Sequence, residues 1–328
     1  MTVETNNAYE NCTGCALCLL NCPLWRSTKD VLQTPFGRFK AMQLGHLSED
    51  VLKEAGISEG IESCVLCGSC EVLCPTSSAV TEVTISERAK LNVLSGKKTN
   101  QKSRSGALAF VKNTSEKKEV ALFIGTEDKD TLDSELIEQA VNLFGGKEKV
   151  ALIEARTSNL ESALAVMDNK EIRRIFKGAK EIVSFEGLLL KPLRKALSLP
   201  KKSIISLGER LLKIPKIRQA LLASDLYIID ARSYNLDYER LVNFYDEVKK
   251  DIGLSMNLDL HRSVTTLGRD NLKRAEGEGV SELNLTQARW ILEGRRFKRI
   301  VTEHPADALI FRKVTDVPVL SILELAKD

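Results

Sequence analysis

The apolar positions of this chain change period near residue 118. Before it, apolar residues come in short, helix-spaced groups broken by cysteines. After it, compact apolar runs alternate with amphipathic stretches. Val120-Ala-Leu-Phe-Ile124, Lys149-Val-Ala-Leu-Ile153 and Glu181-Ile-Val-Ser-Phe185 read as buried strands, with helices predicted over 132–144 and from 185 through Leu197. Strands alternating with helices imply a parallel sheet covered on both faces.

The alternation then returns. Leu226-Tyr-Ile-Ile-Asp230 resembles the opening strand, Met256–Leu260 the second and Arg299-Ile-Val-Thr302 the third, with helices from Asp237 to about Lys250 and after Thr302. The offset is 106 residues from Val120 to Leu226 and 118 from Ile182 to Ile300, so the halves read as diverged copies with extra residues in the second. The expected fold class is α+β overall. A mostly helical N-terminal domain precedes a doubled α/β region with parallel sheets. The expected boundaries are 1–96 for the helical domain, 97–117 for a basic polar linker, and 118–222 and 223–328 for the two halves. In the helical domain, Ser48–Gly56 reads as a short helix with a serine cap and a glycine stop, and Thr84–Leu94 as a second helix ended by Gly96. The basic run Lys97–Gly106 reads as a solvated connector, with an anionic docking patch as the sharper alternative.

The cysteines give the helical domain its chemistry. All eight fall into two copies of C-x-x-C-x-x-C-x-x-x-C-P: Cys12, Cys15, Cys18, Cys22 with Pro23, and Cys64, Cys67, Cys70, Cys74 with Pro75. Three closely spaced thiolates can wrap one face of a cubane cluster. In two-cluster domains the fourth cysteine of each run serves the other cluster. Two [4Fe–4S] clusters are therefore expected, one on Cys12, Cys15, Cys18 and Cys74, the other on Cys64, Cys67, Cys70 and Cys22. Residues 23–63 then form a covering insertion. Gly14 and Gly68 suit the tight turns that bring backbone N–H groups towards sulfur. Structural zinc would use paired C-x-x-C knuckles, and disulfides would suit a secreted chain.

Composition narrows the surroundings. The formal charge of +3 counts the cysteines as thiols. Two clusters at about −2 each, thiolates included, would bring it to roughly −1, so the basic balance gives no argument for nucleic acid. Aromatic content of 5% offers few stacking platforms. No apolar run approaches the ~20 residues of a membrane span, and the polar start lacks an apolar leader segment. A cytoplasmic location is expected, with any attachment to the inner face of the membrane made through partners.

Three features together resemble the iron–sulfur subunits of respiratory flavin dehydrogenases and heterodisulfide reductases, among them those of glycolate oxidase and anaerobic glycerol-3-phosphate dehydrogenase. They are the doubled cysteine run, the stretch Thr34-Pro-Phe-Gly-Arg-Phe-Lys-Ala-Met42, similar to the family's S/T-P-x-G-R-x-x-x-M, and the doubled α/β region, similar to its tandem cysteine-rich domain. The resemblance implies an electron-transfer subunit between a flavin-containing or thiol-redox subunit and a further electron donor or acceptor protein. It also implies metal-binding cysteines after the strands of each half, and this chain has none there. The family's positions correspond to Gly125-Thr126, to part of Glu154–Asn159 and to Phe185-Glu-Gly-Leu188 in the first half. In the second they correspond to Asp230-Ala-Arg-Ser233, Thr265-Thr-Leu-Gly268 and His304-Pro-Ala-Asp307. No catalytic residue is assigned. The rival readings are a structural adaptor, and an enzyme working in the cleft of the doubled region.

Single residues carry paired readings. Arg38 is expected either to donate to cluster sulfur or an acidic partner, or to fix the insertion by a salt bridge. Trp25 is expected to shield a cluster from water. Arg88 and Lys90 read as a solvated helix face. His304 and Asp307, with Asp230 and Arg232, read as a vacated metal site refilled by groups that hydrogen-bond one another.

Overall fold

The computed structural model describes residues 9–45, 50, 54–94, 109–112, 117–125, 134–156, 169–200, 203–268 and 280–326. The cysteine-bearing domain is helical, with helices Pro23–Thr28, Pro35–Gly45, Ala55–Glu62, Ser69–Leu73 and Val80–Leu94. Two sheets follow. The first has nine-residue-or-shorter strands β1 (Ala109–Lys112), β2 (Val120–Gly125), β3 (Val150–Arg156), β4 (Glu181–Ser184) and β5 (Ile204–Ser206), in the order β1-β3-β2-β4-β5. The second has β6 (Asp225–Ile228), β7 (Ser255–Met256), β8 (Arg299–Thr302) and β9 (Val319–Ser321), in the order β7-β6-β8-β9. All pairings are parallel except β1 with β3. Without β1, both sheets run second-first-third-fourth, so the duplication expected from the apolar pattern is present in the topology.

The pairing corrects the alignment of the copies by one residue. Ile182 pairs with Ile204 and Ala121, and Ile300 pairs with Val319 and Leu226. Val120 is therefore equivalent to Asp225, not to Leu226. Burial agrees: Leu122 and Tyr227 enter the central core, while Ala121 and Leu226 enter the outer cores of their own halves. An apolar run buried on both faces carries no alternation, so its register is legible only from its partners. The same logic moves the first-half counterpart of His304 from Phe185 to Glu186.

Other expectations shift as well. The helix placed at 48–56 is described only in part; the observed helix is Ala55–Glu62, and Gly56 lies inside it instead of ending it. Gly60 permits packing there, since a Cβ would come within 2.7 Å of the Leu32 carbonyl oxygen. The helix expected from Thr84 begins a turn earlier, at Val80. The stretch read as linker contributes β1, whose four residues extend the first sheet antiparallel to β3; its basic run lies outside the described residues. The second strand of the second half is short, Ser255–Met256, and Leu260–Arg262 is a 3₁₀ turn.

The second cysteine run is built into the α/β region. Val65 and Cys67 enter the central core shared by both sheets, and Cys64 and Leu66 enter the outer core of the first half. Asn235, at the end of helix Ala231–Asn235, donates to the Cys67 carbonyl at 3.1 Å and to Ser69 Oγ at 3.0 Å. At Gly68 a Cβ would lie 2.7 Å from Leu236 Cδ2. The first run docks only at its end. There Asn21 hydrogen-bonds Ser263, and Arg26 pairs with Asp259 at 2.7 Å and stacks on Trp290 at 4.2 Å.

Candidate metal centre

Both cysteine runs take the same backbone path. In each, the residues two and four positions after the first cysteine have positive φ: Gly14 (79°) and Ala16 (60°) in the first, Leu66 (52°) and Gly68 (72°) in the second. A left-handed Ala or Leu costs roughly 1–2 kcal/mol, so the surroundings impose these turns. In the second run the Leu66 N–H donates to Cys64 Sγ at 3.4 Å.

The thiols surround two cavities. One, of about 420 Å³ including its open mouth, is lined by Cys12, Cys15, Cys18 and Cys74, with Cys70 at its inner wall. The other, of about 340 Å³, is lined by Cys22, Cys64, Cys67 and Cys70. Each thus meets a triplet from one run and the last cysteine of the other. Pro35 and Val80 also line both, so the cavities are neighbours. Among the described residues no three His, Cys, Asp or Glu side chains gather around a single metal ion. The thiols ring spaces instead, which suits a multi-iron core held at its corners.

The two cavities differ in exposure. Cys15 is exposed and Cys12, Cys18 and Cys74 are half-buried, whereas Cys22, Cys64, Cys67 and Cys70 are buried. Burial pushes the thiols up: Cys18 to about 12, Cys67 to about 11, Cys70 well above the usual range, and Cys22 upward against the nearby Arg38 charge. At Cys74 burial acts the same way, but hydrogen bonds from Thr76 and Ser78 outweigh it and lower the thiol. Iron must displace these protons, and thiolate–metal bonding offsets the desolvation that holds them.

In the stretch Thr34–Met42, each of the five residues of the S/T-P-x-G-R-x-x-x-M pattern has a structural place. Thr34 Oγ1 accepts from the Gly37 N–H at 3.1 Å, and Pro35 opens the helix. Gly37 lies against the chain, where a Cβ would be 2.0 Å from the Val31 carbonyl oxygen. Arg38 is buried and lines the second cavity. Met42 is buried in the domain core.

Two sequence readings fail here. Trp25 lines neither cavity; Leu24 covers the second, and Trp25 serves Cys22 through its backbone N–H, with its ring 5.5 Å from Lys29 Nζ. Arg88 is not on a solvated face. It is buried and donates to the carbonyls of Ile61, Glu62 and Cys64, clamping the start of the second run, while Lys90 pairs with Glu87 at 2.5 Å. The helix period alone could not separate these, because Val80–Leu94 is polar on more than one side.

Among the positions that would carry metal ligands in the doubled region, Asp230, Arg232, Thr265, Thr266 and Asp307 line a cavity of about 270 Å³, its open mouth included, beside the end of β6. The strand ends of the two halves face each other. Arg232, after β6, pairs with Glu186, after β4, at 3.1 Å, and its other arm donates to the Val65 carbonyl at 3.0 Å. Asp230 caps its helix through the Ser233 N–H. His304 Nδ1 accepts from the Ala306 N–H, and its ring meets Phe185 edge-on at 6.2 Å. Gly187 packs on the opposite backbone, where a Cβ would be 2.3 Å from Ser233 N. Glu303, which sequence reading passed over, lies buried between the halves. It accepts from Tyr245 Oη at 2.6 Å, the Asp230 N–H at 2.8 Å and Tyr227 Oη at 2.9 Å. Burial still wins over these donors and pushes its carboxyl up to about 8. Its only prior signal is a carboxylate inside an apolar strand end. Thr126 and residues 157–159 lie outside the described residues.

Residues 8–78 match the family model of the 4Fe–4S dicluster domain, so the class is that of iron–sulfur proteins with an electron-transfer role. Beyond that domain the likenesses are slight. No curated protein matches the chain significantly. Among solved structures, an aspartate racemase homologue from Pyrococcus horikoshii OT3 is similar over 64% of this chain and 95% of its own, at 15% identity and a TM-score of 0.32, too low to carry any argument. Among the described residues no helix is long and apolar enough to cross a membrane.

Proposed function

We propose that this chain is the electron-transfer subunit of a multi-subunit oxidoreductase. In this reading Cys12, Cys15, Cys18 and Cys74 hold one [4Fe–4S] cluster, and Cys64, Cys67, Cys70 and Cys22 the other. The observation that supports it is the pair of adjoining cysteine-lined cavities, each lined by a triplet from one run and the last cysteine of the other. Such clusters, when bound, supply one-electron redox chemistry at potentials set by hydrogen bonds, charge and burial. The chain's own residues do the rest. The left-handed turns present N–H groups to sulfur, Leu24, Leu66 and Pro35 keep water from the inner site, and Arg88 and Asn235 fix its loop to both domains. Substrate chemistry then belongs to a flavin-containing or thiol-redox partner. The doubled region serves as a platform, because the Arg232–Glu186 pair and the close approach at Gly187 join its halves. The rival enzyme would have to work in the small cavity of Asp230, Arg232 and Asp307.

Anaerobically purified protein is expected to hold about eight irons per chain, from two four-iron clusters, and to reduce reversibly. Cys12→Ser should impair one cluster and Cys64→Ser the other, read by iron content and by EPR of the reduced protein. About four irons in the wild type, or clusters inert to dithionite, would refute the reading.

The end with the exposed Cys15 is the natural port. Leu17 and Leu20, 44% and 51% exposed, lie within the first cysteine run and offer apolar contact to a redox partner. Leu17→Glu with Leu20→Glu should release companion chains from the native complex while the iron content stays unchanged. Retention of the companions would place the port elsewhere.

A further inference from the structure

Arg38 is a buried cation with no counter-charge among the described residues. It is 2% exposed, and its side chain helps line the cavity of Cys22, Cys64, Cys67 and Cys70. Its Nη1 donates to the Gln33 carbonyl at 2.6 Å, which anchors one arm of the fork. Its Nε is buried and has no acceptor among the described residues. No carboxylate pairs with it there either, so the expected salt bridge within the insertion is not what holds it.

A buried guanidinium without a counter-charge is strongly disfavoured. The other arginines of the region are provided for: Arg88 reaches three carbonyls, and Arg232 pairs with Glu186. Neither lines the cavity. Arg38 alone among the three faces four thiols, and a cubane on four thiolates would bring about −2 to that space. Among the described residues no arginine or lysine lines the outer cavity. Lys40, which lies beside Gly14, is half-exposed, bonded to Gln43 at 2.9 Å, and open to screening by solvent.

We propose that Arg38 is a tuning residue for the inner cluster. Its unpartnered Nε–H would donate to a sulfur of a cluster held by Cys22, Cys64, Cys67 and Cys70, and its fixed charge would raise that cluster's reduction potential selectively. Reduction adds one negative charge to the site. In a poorly screened interior a fixed cation favours that more negative state. The inference rests on the two-cluster reading and adds to it a built-in difference between the two sites.

The test is an anaerobic redox titration followed by EPR, on the wild type, Arg38→Met and Arg38→Lys, each with its iron counted. The cluster affected is identified as the one whose signal Cys64→Ser removes. Arg38→Met should shift the inner midpoint to lower potential and leave the outer one in place, and Arg38→Lys should restore much of the shift. If Arg38→Met cannot load the inner cluster but Arg38→Lys does, at near the wild-type potential, the need for the charge is equally supported. A loaded Arg38→Met with unchanged midpoints overturns the proposal. So does loss of the cluster in both variants, which would make Arg38 a packing residue. A wild type without two reversible steps would instead sink the two-cluster reading itself.

Discussion

Arg232→Met is expected to destabilise the protein by about 3–5 kcal/mol, because it leaves the Glu186 carboxylate buried without its cation. The two side chains are 5% and 4% exposed, so water cannot take over the pairing. The damage should also reach the inner metal site, since the second arm of Arg232 holds the Val65 carbonyl in the loop between Cys64 and Cys67. Anaerobic chemical denaturation of the iron-loaded protein measures the first effect, and the rate of iron loss to a chelator measures the second. The double variant Arg232→Met with Glu186→Met should recover much of the stability, because two apolar side chains of similar volume leave no charge behind. It should not recover the slow iron release, because the bond to Val65 is still missing. If the single variant is as stable as the wild type, the pair does not join the halves as described.

Glu303 should make the protein less stable as the solution turns alkaline. Its carboxyl, at about 8 in the fold, ionises near 4.3 in an unfolded chain. The folded state therefore binds the proton more tightly. The resulting stabilisation is complete below about pH 4.3, declines as pH rises, and is gone above about pH 8. At 1.36 kcal/mol per pH unit the full span is about 4–5 kcal/mol. Three donors converge on this carboxylate, but no ammonium or guanidinium is among its partners, so desolvation dominates. Glu303→Gln should flatten the fall in Tm between about pH 5 and pH 9, read by scanning calorimetry under anaerobic conditions. An equal fall in both proteins would show that the carboxyl is ionised throughout. Gly208 is part of the same arrangement, since a Cβ there would lie 2.2 Å from Glu303 Cδ.

These two residues show where sequence reading stops. The strand just before Glu303 is plain from its apolar run, and in the structure His304 caps and Pro305 opens the helix that follows. Nothing local says that Tyr227 and Tyr245, 76 and 58 residues away, close over that carboxylate. Arg88 was misjudged for the same reason. A helix shows a side chain's angular position, not which loop will cover it, and the covering loop here begins at Ile61.

The sequence by itself determined the cysteine chemistry, the helical character of the first domain, the parallel α/β region and its duplication. They rest on periods read along the chain: three positions from thiol to thiol, two along one face of a strand, 3.6 around a helix, and the return of the strand pattern after about 110 residues. Only the tertiary structure decided the rest. It brings the last cysteine of each run to the cavity of the other, buries the thiols of the second cavity while those of the first stay half-buried or exposed, and joins the α/β halves through Arg232 and Glu186. It also aligns the two copies one residue away from where their apolar runs match. Those outcomes depend on which distant surfaces pack together, and packing is set by the volume and charge of residues far apart in the chain.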